Sequence, residues 1–149
     1  MRLFVAVPLS PAVRDMLKRE MADLRRQGGG TFTRVENLHL TLAFLGETDR
    51  LATAEAALDC CCPGPSFSVT VGGLGRFGDL WWTGVQEDGR RLADLAGAVQ
   101  EALRAEGFAI ERRAWTPHIT LVRRWRGSAP AVRRPQTPME IRRFSLMES

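Results

Sequence analysis

The chain repeats one pattern of elements twice, and this repetition restricts the folds that it can adopt. In each half, an apolar run of strand length (residues 3–7 and 80–85) precedes a long stretch with the periodicity of an amphipathic helix. A second strand pattern then follows in each half and carries a histidine. A helix and its strands must bury their apolar faces against one another, so we expect an internal duplication that folds into two lobes.

The helices are bounded by recognisable start and stop signals. Ser10 and Pro11 are typical of a helix start, and apolar residues recur at helical spacing after them until the glycines at 28–30. Two further helices are predicted, each with an aspartate as its N-terminal cap. They run from Asp49 to about Cys60, and from Asp88 to a stop at Gly107.

Apolar and alternating segments predict the strands. Residues 38–45 form a buried strand, and residues 66–74 and 80–85 form a hairpin in which the adjacent Trp81 and Trp82 face opposite sides. Further strands are predicted over residues 108–112, 118–122 and 139–146. The resulting order of strand, helix, strand, helix, hairpin, helix, hairpin and strand is that of an α+β protein.

Size and composition favour one ordinary globular domain that spans residues 1–149. With 44% hydrophobic and 26% charged residues, the chain is similar to globular proteins and unlike disordered or fibrous ones. Its apolar runs are far shorter than the roughly 20 residues that span a bilayer, and its N-terminal residues show no cleavable signal. We therefore expect a cytoplasmic protein without a membrane segment.

Three consecutive cysteines, Cys60, Cys61 and Cys62, follow one predicted helix. Their spacing suits neither a framework of paired disulfides nor a zinc site. We interpret them as small buried residues at a helix end, and the odd number of thiols fits a reducing compartment.

Positive charge is carried almost wholly by arginine. The formal net charge is +4 with an isoelectric point near 9.7, and Lys18 is the one lysine among 21 basic residues. Guanidinium groups suit forked contacts with phosphate, so the composition favours a polyanionic partner, although a G+C-rich genome would give the same bias. Arginine pairs in the C-terminal half either follow an RNA backbone or form an ordinary solvated surface (residues 112–113, 123–126, 133–134 and 142–143).

Both histidines of the chain lie in the same short motif, because residues 39–42 and 118–121 each read His-apolar-Thr-apolar. In a strand, positions i and i+2 point to one face, so His39 lies beside Thr41 and His118 beside Thr120. If the duplication sets the two strands on opposite walls of a cleft, two imidazoles and two hydroxyls converge on one volume. That volume suits a phosphoryl group.

Such a group of side chains suits the cleavage of a phosphodiester. Histidine can accept a proton from the attacking oxygen or donate one to the leaving oxygen near neutral pH, and threonine hydroxyls can bind the phosphate oxygens. No metal or cofactor is required, and two histidines without carboxylates or thiols at ligand spacing make a poor metal site. A lone strand histidine is more often structural, but the repetition of the motif argues against that alternative.

The motifs resemble those of the two-histidine phosphoesterases, and specifically of the bacterial and archaeal RNA 2′,3′-cyclic phosphodiesterases, also called 2′-5′ RNA ligases. This resemblance implies a bilobal α+β fold with two pseudo-symmetric antiparallel-sheet lobes, helices on the outer faces and a central cleft. It covers nearly the whole chain and is carried by residues 2–7, 36–46, 73–77, 80–85 and 117–121.

The resemblance also implies roles for single residues. His39 and His118 would face each other across the cleft, with His118 as the base and His39 as the acid, while Thr41 and Thr120 hold the phosphate. Two more residues would contact the substrate: Phe44 would stack on the terminal base, and Arg123 would contact the phosphate or base. Each of these two follows its histidine by five positions, where an ideal strand points it away, so a bulge or strand end is expected there.

The implied reaction is hydrolysis of a terminal 2′,3′-cyclic phosphate to a 2′-phosphate. Run backwards with an RNA 5′-hydroxyl, the same site would form a 2′-5′ linkage without ATP. The expected partner is RNA with such an end, or a nucleoside 2′,3′-cyclic phosphate, for a monomer that needs no protein partner. The alternatives are an RNA-end binding module without turnover, or a phosphodiesterase for small nucleotides or ADP-ribose cyclic phosphate.

Overall fold

Two antiparallel sheets and three α-helices make up the computed structural model, which describes residues 1–61, 64–131 and 136–149. The smaller sheet has the strand order β3-β1-β8, and the larger has the order β2-β6-β5-β4-β7. The predicted α+β class is therefore confirmed. The elements are β1 (Arg2–Val7), α1 (Pro11–Gln27), β2 (Gly29–Phe32), a 3₁₀ turn (Val35–Asn37), β3 (Leu40–Glu47), α2 (Leu51–Asp59), β4 (Phe67–Phe77), β5 (Leu80–Gln86), α3 (Arg91–Ala105), β6 (His118–Arg126), β7 (Gln136–Ile141) and β8 (Ser145–Glu148).

The start of α1 follows the prediction. The Ser10 hydroxyl accepts a hydrogen bond from the Val13 N–H at 3.3 Å, and Pro11 occupies the first turn, where its missing N–H costs nothing. The apolar face of α1 packs against β2, β6 and β7 of the five-stranded sheet. The buried residues of this face include those predicted from the spacing: Val13, Met16, Leu17, Met21 and Leu24.

The predicted caps of α2 and α3 are wrong. Asp49 lies one residue too early for α2, whose capping position is Arg50. Asp88 does not cap α3 either, because the carboxylate of Glu87 accepts hydrogen bonds from the N–H groups of Leu92 (2.8 Å) and Ala93 (3.0 Å). A glutamate side chain is long enough to reach the first turn of the helix. Its negative charge there also interacts favourably with the positive end of the helix dipole. The predicted stop at Gly107 is confirmed by its φ of +89°.

The predicted hairpin is confirmed as β4 and β5, but two other strand predictions are wrong. Residues 108–112 form no strand, because Phe108 and Ile110 are buried by packing on the core and not by pairing in a sheet. Residues 139–146 do not form one strand: the chain leaves the large sheet after β7 and enters the small sheet as β8. The glycine run at 28–30 was expected only to end a helix, yet it begins β2.

The cysteine prediction also needs correction. Cys60 is exposed, and Cys61 is half-buried because its Sγ faces α3 and lies 3.8 Å from the Ala98 carbonyl oxygen. Cys62 lies outside the described residues.

The two halves of the chain exchange their helices. While α1, from the first half, covers the large sheet, α3, from the second half, packs against α2 and against β3 of the small sheet. Buried apolar side chains from both sheets and all three helices belong to one cluster. In the described part of the chain, no helix has both the length and the apolar character needed to cross a membrane.

Candidate active site

The two histidine motifs lie on neighbouring strands of different sheets. His39 directly precedes β3 and His118 is the first residue of β6, and Cα atoms of these two strands come within 8 Å of each other. Both imidazoles are half-buried. The fold therefore brings together two segments that are far apart in the sequence.

The imidazole of His39 stacks on Phe4 of β1, with ring centroids 4.6 Å apart and planes inclined by 21°. Burial lowers the pKa of His39; a hydrogen bond with the Asn37 backbone opposes this shift, and the guanidinium of Arg14 adds to it. Both lowering effects disfavour the imidazolium form. His39 is therefore held mainly neutral in the free protein at neutral pH.

The imidazole of His118 packs against two aromatic side chains of the β4–β5 hairpin. The Phe77 ring meets it edge-on at a centroid distance of 5.1 Å, and the Trp82 ring lies 5.8 Å away. Its Nδ1 lies 2.7 Å from the Thr116 carbonyl oxygen. A carbonyl can only accept, so Nδ1 carries a proton and Nε2 is the nitrogen free to accept or release one.

Each histidine thus has a backbone partner two residues earlier in the chain, Asn37 for His39 and Thr116 for His118. Such a partner fixes the orientation of the ring. The two motifs share this arrangement as well as their sequence pattern.

A β-bulge lies three residues after each histidine. In the β1–β3 ladder, Ala6 pairs with Thr41 and Val5 with Ala43, so that Leu42 is skipped. The skipped residue reverses the alternation of side chains. Leu42 and Ala43 are both buried, and the next residue, Phe44, is 63% exposed.

The same irregularity occurs in β6. Trp82 pairs with Thr120 and Trp81 with Val122, so that Leu121 is skipped in the ladder. Leu121 and Val122 are both fully buried, and Arg123 after them is exposed. The bulges that were expected from strand parity are confirmed, and each lies shortly before the residue for which it was expected, Phe44 or Arg123.

Two side chains from the second half of the chain bind the carbonyl groups at the β3 bulge. The Gln100 amide of α3 donates to the Leu42 carbonyl at 2.9 Å, and the Trp115 indole N–H donates to the Thr41 carbonyl at 3.3 Å. Trp115 stands only three residues before His118. It therefore connects one histidine motif directly to the other.

A pocket of about 370 Å³ opens beside these strands. Of the predicted site residues, all of which the structure describes, Thr41, Phe44 and His118 line it, while His39, Thr120 and Arg123 lie outside its lining. The remaining lining comes mainly from α3, from the hairpin and from the segment before β6, and includes Phe77, Gln100, Glu111, Arg113, Trp115 and Thr116.

Sequence reasoning did not identify five residues around the histidines: Phe4, Phe77, Trp82, Gln100 and Trp115. Only one of them left a usable signal in the sequence. Trp81 and Trp82 occupy consecutive strand positions, and the structure confirms that Trp81 packs on the core while Trp82 turns to His118. The other positions depend on which strands and helices become neighbours.

Comparisons with known proteins agree with this arrangement. The family model of the 2′-5′ RNA ligase superfamily matches residues 13–145. A Thermotoga maritima protein named RNA 2′,3′-cyclic phosphodiesterase is 33% identical to the chain, over 100% of the chain and 87% of the relative. A Geobacillus stearothermophilus protein of the same name is 35% identical over 85% of the chain, which spans only 43% of that longer relative.

Solved structures show the same fold. The crystal structure of Escherichia coli LigT complexed with 3′-AMP superposes with a TM-score of 0.77 at 28% identity, covering 97% of this chain and 86% of LigT. The repeated histidine motif, the paired sheets and the family match are thus consistent with one another, and the chain belongs to the 2′-5′ RNA ligase superfamily, whose members are two-histidine phosphoesterases.

Proposed function

We propose that the protein hydrolyses the 2′,3′-cyclic phosphate at the end of an RNA to a 2′-phosphate, by metal-independent general acid–base catalysis with His39 and His118. The observation that carries this proposal is that the strands of the two His-x-Thr motifs, β3 and β6, come within 8 Å of each other beside a pocket lined by Thr41, Phe44 and His118. The names of the Thermotoga and Geobacillus relatives support the same substrate.

The proton transfers follow from the two imidazoles. Nε2 of His118 takes a proton from water, whose oxygen forms the new bond to phosphorus. The bond between phosphorus and O3′ breaks, and protonated His39 donates its Nε2 proton to O3′ as it leaves. Burial makes the imidazolium of His39 a stronger acid than usual, and the negative charge of a bound phosphate keeps that form populated.

The remaining site residues bind the substrate. The Thr41 and Thr120 hydroxyls donate hydrogen bonds to the non-bridging phosphate oxygens as charge builds up on them. Phe44 stacks on the terminal base, which the exposure of its ring supports. Arg123 contacts the phosphate or base from the end of its bulge, where its side chain is exposed to solvent.

The test is turnover of an RNA with a 2′,3′-cyclic phosphate end by purified protein in EDTA. We expect a 2′-phosphate product and a bell-shaped dependence of rate on pH. His39→Ala and His118→Ala should each lower kcat by on the order of 10²-fold or more. Met147→Ala, a change at an exposed residue of β8, is the matched control and should keep full activity.

Two results would contradict the proposal. One is the absence of turnover by the unmodified protein. If that protein nevertheless binds RNA ends tightly and in a salt-sensitive way, it is a binding module. The other is full activity in either histidine variant. Loss of activity in EDTA that returns with added divalent metal would refute the metal-independent part alone.

Ligation without ATP is part of the same proposal. If the 5′-hydroxyl of a second RNA replaces water, His118 removes its proton and O3′ leaves as before, which joins the strands through a 2′-5′ linkage. No ATP is consumed, because the cyclic phosphate ester supplies the leaving group. Incubation of the two RNA ends without ATP should give a ligated product that requires both histidines.

A further inference from the structure

Two phenylalanines of the candidate site are unusually exposed. Phe44 is 63% exposed and Phe77 is 47% exposed, more than any other large apolar side chain that the structure describes. Both line the same pocket, Phe44 from β3 of the small sheet and Phe77 from β4 of the large sheet. Large apolar rings exposed in a pocket indicate a surface that a ligand covers.

Phe77 is held at this rim by its neighbours. It is the last residue of β4, next to the tight turn at Gly78, and its ring lies 5.3 Å from that of Trp82. Trp82 in turn fills the space over Gly75, where a Cβ would lie only 2.2 Å from its Cη2 atom. The Phe77 ring therefore packs between the Trp82 indole and the His118 imidazole, which it meets at centroid distances of 5.3 Å and 5.1 Å.

The pocket between the two rings suits a nucleobase better than a second phosphate. The charges nearest to it, Glu111 and Arg113, form an ion pair with each other. Aromatic side chains stack on nucleobases of any sequence, since every base presents a π-face. Phe44 is already proposed to stack on the terminal base, so Phe77 provides a stacking surface for a second base.

We propose that Phe77 stacks on the base of the nucleotide that lies 5′ to the cyclic phosphate. The site would then prefer an RNA end of at least two nucleotides to a mononucleotide. This inference rests on the proposed function, because it assigns the second base relative to a cyclic phosphate held by the two histidine motifs.

The experiment compares a dinucleotide that ends in a 2′,3′-cyclic phosphate with the corresponding mononucleotide. We expect kcat/KM to be about tenfold higher for the dinucleotide, which lies within the range of one stacked base. In Phe77→Leu the ratio of the two kcat/KM values should fall to near one. In Phe44→Leu we expect kcat/KM to fall for both substrates and the ratio to stay unchanged. Met147→Ala is the control that should keep both values.

Two outcomes would overturn the inference. One is an unmodified protein that does not distinguish the two substrates. The other is an equal fall in kcat/KM for both substrates in Phe77→Leu, which would mean that Phe77 only positions His118.

Binding of the 2′-phosphorylated mononucleotide and dinucleotide, measured by calorimetry, separates this inference from the proposed function. If neither cyclic phosphate is turned over, the proposed function fails. The second-base site still stands if the dinucleotide binds about tenfold more tightly and Phe77→Leu removes that preference.

Discussion

At the scale of single residues, the environment of His39 sets its protonation state. The ring is stacked on Phe4, and its pKa is lowered by burial and by the guanidinium of Arg14. Arg14 is itself held in place, because its side chain donates hydrogen bonds to the carbonyls of Leu9 (3.4 Å) and Val35 (3.0 Å). A fixed positive charge therefore contributes to the proton affinity of a proposed catalytic group.

Replacement of Arg14 should change the titration of His39. In Arg14→Gln the positive charge is lost, so we expect the pKa of His39 to rise towards its ordinary value, with burial still holding it below. Arg14→Lys keeps the charge and is the control. An NMR titration of the imidazole Cε1–H signal would measure the shift, and equal pKa values in the unmodified protein and Arg14→Gln would refute this account.

At the scale of elements, bulges place side chains of the candidate site. Glutamine side chains stabilise two of these bulges. Gln100 donates to the Leu42 carbonyl at the β3 bulge. Gln86 donates in the same way, at 3.2 Å, to the Gly72 carbonyl at the bulge between β4 and β5. A bulge leaves backbone groups without a ladder partner, and these amides satisfy one acceptor at each.

Loss of either amide should destabilise the protein. Gln100→Leu and Gln86→Leu each leave a carbonyl without its donor, which we expect to lower the free energy of unfolding by about 1–3 kcal/mol. Urea denaturation measures this change. Only Gln100→Leu should also raise KM, because only the β3 bulge places Phe44. A similar effect of both changes on KM would contradict this role of the bulge.

Trp115 offers a second element-scale prediction, since it connects the two histidine motifs. Trp115→Phe keeps an aromatic ring but removes the N–H that binds the Thr41 carbonyl. We expect kcat/KM to fall about fivefold, the value of one hydrogen bond of about 1 kcal/mol. Trp81→Phe, on the opposite face of β5, is the control. Unchanged kcat/KM in Trp115→Phe would show that the connection has no catalytic role.

At the scale of the whole molecule, the exchange of helices between the halves joins the two lobes. Because α1 covers the large sheet and α3 packs on the small one, neither half buries its apolar faces by itself. The shared cluster of buried side chains supports the proposal that residues 1–149 form one domain.

The buried carboxyl group of Glu20 makes the stability of the folded chain depend on pH. Glu20 of α1 is 3% exposed, its two carboxylate oxygens have no hydrogen-bond partner among the described residues, and burial raises its pKa to about 7. The folded protein thus holds this proton up to a higher pH than the unfolded chain. The stabilisation is complete below pH 4.5, the ordinary value, and is lost as the pH rises through 7.

Glu20→Gln should remove this dependence. We expect the free energy of unfolding of the variant, relative to that of the unmodified protein, to rise by on the order of 3 kcal/mol between pH 4.5 and pH 8. Urea denaturation at the two pH values measures the difference. Glu55→Gln, at an exposed position of α2, is the control. A Glu20→Gln variant whose relative stability does not change with pH would contradict a buried, protonated carboxyl group.

Much of the fold was predictable because its signals are local. The capping of α1 by Ser10, the stop at Gly107 and the hairpin of β4 and β5 each depend on residues adjacent in the sequence. The split of residues 136–148 between two sheets was not predictable, because it depends on the partner of each strand. The cap of α3 was predicted at Asp88 and not at Glu87, because the reach of the Glu87 side chain to the first turn depends on the conformation of the chain before the helix.

The chemistry proposed for the site was derived from the sequence by itself. Two histidines, each with a threonine two positions later on a strand, specify the side chains that point to one face, since that relation depends only on strand geometry. Strand parity also predicted a bulge or a strand end before Phe44 and Arg123, since an ideal strand would point them away from that face. Both statements are local. The two bulges are confirmed, and the placement of each histidine beside its threonine stays a prediction.

Only the tertiary structure decided what surrounds the histidines. Phe4 lies under His39, Phe77 and Trp82 lie against His118, and Trp115 connects the motifs because strands from different parts of the chain pair and pack. Which ring or donor reaches a given strand depends on sheet order and register, and these are set by burial of the whole core. The sequence supplies the proposed reacting groups, and packing supplies their neighbours and lowers the pKa of His39.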